Sequence, residues 1–64
     1  MRKRNTVTIL CTKVRETELA VLIRGEDGRG VWFPLSHVDE MHFDTNKKGQ
    51  IVVTEWIATQ KGYA

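Results

Sequence analysis

Val7, Ile9 and Cys11 alternate with Thr8 and Thr12 near the start of the chain. A period of two in β-branched residues predicts a strand over 5–14. Leu19 to Ile23 is continuously apolar and predicts a second strand, with the glycine-free segment RETE, residues 15–18, as the turn between them. GEDGRG, residues 25–30, is stronger turn chemistry, because its three glycines accept positive φ at little cost. Val31 to Phe33 returns as a third strand. Pro34 lacks an amide hydrogen, so the ladder is expected to stop there or to run along an edge. Ser36 is placed to cap a short turn through LSHVDE. Met41 and Phe43 flank His42 in a short fourth strand, TNKKGQ is polar turn chemistry, and Ile51 to Val53 forms a fifth. Thr54 then reads as an N-cap, with Glu55 in the first turn, where the helix dipole favours an anion. Trp56, Ile57, Ala58 and Gln60 follow, and Gly62 suits the left-handed position that ends a helix. So short a helix does not hold itself in water and must dock.

Five short strands and one docked helix predict a mainly β fold. The expected form is a small, strongly bent antiparallel sheet, an SH3-like or OB-like partial barrel with a short C-terminal helix. In the third strand, parity sends Val31 and Phe33 to one side and Trp32 to the other. Both faces are then apolar. The helix carrying Trp56 and Ile57 is expected to cover the Trp32 side, bringing the two indoles into a second, minor core. The functional alternative leaves Trp32 or Phe33 partly open, as a stacking platform or an interface anchor.

A chain of 64 residues is one domain, 1–64, with a thin core. A single cysteine, Cys11, excludes an internal disulfide and suits a reducing, intracellular setting. No apolar run reaches the roughly 18 residues that span a membrane, and the apolar stretch after the charged start is too short for a secretory signal. The net charge of +2 is unevenly spread. Arg2, Lys3, Arg4, Lys13 and Arg15 precede any acid, whereas the rest of the chain carries five basic and eight acidic side chains. Residues 1–4 therefore read as a basic N-terminal arm suited to phosphate or to an acidic protein surface.

HVDEMHFD gathers His37, Asp39, Glu40, His42 and Asp44 and invites a metal reading. His37 and His42 are five apart, which fits neither one face of a strand nor the i, i+4 pairing of helical zinc ligands, so a solvated turn is the better account. Ser36 beside His37 lacks a third orienting group. The glycines of GEDGRG are spaced unlike a phosphate loop and sit among acids. No enzyme activity, metal or cofactor is expected.

Two segments, VWFPLSHV at 31–38 and GQIVVTEWIATQKGY at 49–63, carry a pattern together. It runs through Trp32, Phe33, Pro34 and Ser36, then Trp56, Ile57, Ala58, Lys61 and Gly62. It resembles a group of small phage and prophage proteins of uncharacterised role, over about half the chain. Members of that group tend to carry a basic residue where this chain has Leu35, and often a proline where it has Thr54. The resemblance implies a common fold and a phage or prophage origin, acting in bacterial cytoplasm.

Three functional expectations follow. The first is a non-enzymatic accessory module that binds nucleic acid. Arg2, Lys3, Arg4, Lys47 and Lys48 neutralise phosphates, and Trp32 or Phe33 stacks on a base. The second is a protein-binding module that inhibits or recruits a host or phage protein through an open strand edge or the outer face of the third strand. The third is a homo-oligomer that closes through its Trp32 face.

Overall fold

The computed structural model describes residues 5–63. Five antiparallel strands form one sheet: β1 (Thr6–Glu16), β2 (Ala20–Gly25), β3 (Gly30–Pro34), β4 (Val38–Phe43) and β5 (Lys48–Thr54). The helix α1 (Glu55–Gln60) follows, and a single 3-10 turn, Leu35–His37, links β3 to β4. The strand order is β3-β2-β1-β5-β4, so the sheet is unclosed, with β3 and β4 at its edges. Pro34 sits in the ladder, opposite Ala20, because an edge strand tolerates its missing amide hydrogen.

β1 is the spine of the bend. Its first half pairs with β5, from Thr6↔Thr54 to Thr12↔Lys48, and its second half pairs with β2, from Cys11↔Gly25 to Glu16↔Val21. A bulge between Lys13 and Arg15 resets the parity there. It puts Lys13 and Glu16 on one side, where their side chains bond at 2.8 Å. The strand therefore runs past the expected end at residue 14. Thr17 makes the turn that no glycine supplies: its hydroxyl accepts the amides of Leu19 and Ala20, at 3.3 and 3.1 Å.

The other two hairpins are built alike. In one, the Gly28 amide donates to the Gly25 carbonyl at 3.0 Å and Gly28 takes a φ of 82°. In the other, the Lys47 amide donates to the Asp44 carbonyl at 2.9 Å and Lys47 takes a φ of 64°. The Asp44 carboxylate also accepts the amides of Asn46 and Lys48. A type I turn closed by a left-handed residue normally asks for glycine. The second hairpin has a lysine there.

One face of the sheet carries the core. Ile9, Cys11, Val21, Ile23, Phe33, Ile51 and Val53 are buried on it, closed over by Ile57 and Ala58 of α1. Each large aliphatic or aromatic side chain buried this way contributes roughly 1.5–3 kcal/mol. Thr54 caps the helix as expected, its hydroxyl accepting the Ile57 amide at 3.2 Å. Two bonds close the other end: the Tyr63 amide donates to the Ala58 carbonyl at 2.8 Å and the Gly62 amide to that of Thr59 at 3.2 Å. That is a Schellman motif, with Gly62 at φ 84° in its left-handed position. It swings Tyr63 back onto the core, its ring 5.9 Å from that of Phe33. Arg29 lies 5.7 Å from the centre of the Tyr63 ring and donates to the Lys61 carbonyl at 3.1 Å, tying the chain end to the β2–β3 hairpin.

Three expectations are corrected here. The helix covers the Phe33 side, not the Trp32 side, because Ile57 and Ala58 point inward while Trp56 stays 59% exposed. The two tryptophans form no second core: Trp32 stands across from Leu22, and Trp56 rests on His37, ring centroids 5.2 Å apart. Ser36 does not cap the 3-10 turn, whose N-cap position is Pro34 with no side-chain bond.

Candidate nucleic-acid interface

The side of the sheet turned away from the core is the outer face of the bend. Strand register assigns its residues to rows. One row runs Trp32–Leu22–Arg15, and the next runs Gly30–Arg24–Thr12–Lys48. Leu10–Gln50–His42 and Thr8–Val52–Glu40 continue it toward β4. Cross-strand neighbours of this kind have Cβ atoms about 4.5–5.5 Å apart. Trp32 is 41% exposed and Leu10 57%. An indole and aliphatic side chains thus lie beside two arginines and a lysine.

Arg15, Arg24 and Lys48 are exposed, and their side chains have no hydrogen bond or ion pair among the described residues. Several carboxylates are by contrast already engaged. Glu16 bonds Lys13, Asp27 accepts from the Arg29 amide, and Asp44 organises its own turn. Glu40, the carboxylate in register on the outer face, bonds His42 at 3.0 Å at the far edge. Arg15 and Arg24 beside Trp32 are cations of the kind that attract a polyanion.

The residues expected from sequence divide as follows. Trp32 and Lys48 lie on this face at the ends of adjacent rows, with β2 and β1 between their strands. Lys47 is exposed in the β4–β5 turn next to Lys48. Phe33 is corrected: it is fully buried in the core and has no surface on which a base could stack. Arg2, Lys3 and Arg4 lie outside the described residues. Arg15, Arg24 and Leu10 complete the face without having been anticipated. Arg24 was within reach of the alternation rule, since it follows Leu22 by two in a strand. Arg15 was not, because only the bulge turns it outward.

The histidines separate. His37 Nδ1 lies 3.1 Å from the Thr54 hydroxyl, beneath Trp56, whereas His42 belongs to the outer face. Cys11 is buried in the core; desolvation raises its pKa, partly offset by a backbone hydrogen bond from Ile51. Such a thiol is a packing group, not a nucleophile. Among the described residues no helix is long and apolar enough to cross a membrane. No family model, curated protein or solved structure matches this chain.

Proposed function

We propose that the protein is a non-enzymatic accessory module of phage type that binds nucleic acid on the outer face of its sheet. The observation that carries this reading is the placement of Arg15 and Arg24 beside the half-exposed Trp32 and Leu22, with Lys48 farther along the Arg24 row, none of the three hydrogen-bonded or ion-paired among the described residues. The cations neutralise backbone phosphates, and the indole offers a surface to a base. Lys47 beside Lys48, and Arg2, Lys3 and Arg4 before β1, add positive charge. The threonines at 6, 8 and 12, all in register on this face, supply hydroxyls for phosphate oxygens.

The test is a salt series. Anisotropy of a labelled thymidine oligomer is read against the purified protein, and the logarithm of affinity is plotted against that of salt. Each phosphate contact contributes a slope of about −0.7 on a single strand, so Arg15, Arg24 and Lys48 together give about −2. The Arg24→Gln variant should weaken binding and flatten the slope by roughly 0.7. Affinity that is indifferent to salt, or absent at low salt, refutes the reading. Capture of a partner from nuclease-treated bacterial lysate in that case would favour a protein-binding role.

A further inference from the structure

We infer that Gly30 forms, with Trp32 and Arg24, a notch that takes one unpaired base. The outer face is thereby a reader of single strands and not of duplex; this rests on the nucleic-acid reading above. Gly30 and Trp32 are two apart on β3 and so share the outer side, about 6.8 Å apart along the strand. Gly30 is exposed and pairs with Arg24, while Trp32 pairs with Leu22. A Cβ placed on Gly30 would meet only Leu22 Cδ1, at 3.6 Å, within a 4 Å radius. No atom of the Trp32 indole lies within 4 Å of that Cβ. The missing side chain leaves the strand surface next to Trp32 open, with the tip of Leu22 at its side. An aromatic base is about 3.4 Å thick, and it stacks on any π surface without regard to sequence.

Two features of the surroundings select the occupant. The residue across the strand pair is Arg24, whose guanidinium has no hydrogen bond or ion pair among the described residues, and Arg15 stands beyond Leu22 in the adjoining row. A planar group carried on an anionic chain fits both the gap and the charge. The notch also lies on the outside of a bend. A duplex keeps its bases stacked inside and presents only backbone to such a surface, whereas a single strand turns a base outward at little cost. Glycine at 30 has a reason in this account that the turn does not supply. The left-handed residue of the hairpin is Gly28, and no positive φ is present at Gly30.

The test uses the full chain carrying Trp56→Phe, so that Trp32 is the remaining indole fluorophore. Titration with a thymidine oligomer should change the Trp32 emission to saturation. An abasic oligomer of equal length should bind with the same salt slope but leave the emission unchanged. The variant Gly30→Leu fills the notch and should weaken oligomer binding roughly tenfold or more, without altering the salt slope. Gly30→Ser, which adds one small group against ordinary contact, is the fallback if the leucine variant loses its cooperative unfolding. It should show a smaller loss in the same direction. A duplex of the same sequence should bind at least tenfold more weakly than the single strand. Three results each overturn the notch: an unchanged Trp32 emission on binding, equal affinity of the Gly30 variants and parent, or equal affinity for duplex. In those cases salt-dependent binding would persist and the wider reading would stand. Loss of all binding at low salt overturns both.

Discussion

Gly49 is the position where a single methyl group should do most damage. It lies opposite Phe43 in the β4–β5 ladder and opposite Cys11 in the β1–β5 ladder. A Cβ there would overlap the carbonyl oxygen of His42 and come within 2.8 Å of its carbonyl carbon and 2.9 Å of the Phe43 Cα. All three atoms are backbone, so no side-chain rotation relieves the clash. Restoring ordinary contact with the His42 carbonyl oxygen requires β4 and β5 to part by roughly 1.5 Å, since van der Waals contact begins near 3.4 Å. One or two ladder hydrogen bonds weaken, at about 0.5–1.5 kcal/mol each. Phe43 also loses part of its packing, out of roughly 1.5–3 kcal/mol for such a side chain. Gly49→Ala should therefore cost about 3 kcal/mol, against a total stability of about 3–5 kcal/mol for a domain of this size. The assay is urea unfolding followed by circular dichroism, with Gly30→Ala as control, since its Cβ meets only Leu22 at 3.6 Å. A Gly49→Ala protein within about 0.5 kcal/mol of the parent would refute the steric argument.

Other expectations are independent of binding. Lys47→Gly should stabilise the chain by about 1 kcal/mol, because it relieves a left-handed residue in the hairpin whose twin uses Gly28; the readout is the urea midpoint, and a fall would count against it. Tyr63 Oη is buried without a hydrogen-bond partner among the described residues, so Tyr63→Phe should be neutral or gain about 1 kcal/mol in thermal unfolding despite removing a hydroxyl. The Cys11 thiol titrates above the ordinary 9.0 when folded. Its contribution is complete below that value and is lost as pH rises toward the folded pKa, since the unfolded chain gives up its proton first. Cys11→Ala should flatten that alkaline decline, and a disulfide exchange reagent should react with the parent only at the rate of its opening.

Much of the fold was legible in the chain. Alternation or short apolar runs between turn signals located the strands, and Thr54 with Gly62 bracketed the helix, because strand period and cap chemistry are local. The facing of that helix was not, since Trp56, Ile57 and Ala58 are consecutive and apolar. A six-residue helix has too few turns for a stripe to point inward unambiguously. Tyr63 carried a usable signal that went unread: the residue after a left-handed glycine cap commonly packs back on the helix. Lys47 and Gly49 vanished into a segment read as generic turn, although one bears positive φ and the other a close strand approach. At the candidate site, parity correctly separated Trp32 from Phe33 but could not say which side was covered. That depended on the helix. Arg15 needed the bulge, an irregularity with no compositional mark.

The divided pairing of β1 sets an order of events. Its second half meets β2 across a tight turn, so that meander closes quickly. Its first half must wait for partners as remote as Thr54 for Thr6, and that closure carries the larger entropic cost. Until β5 arrives, Val7 and Ile9 border an open flank with unanswered amides and carbonyls, available to any neighbouring chain. Refolding at high concentration is therefore a condition in which association is expected.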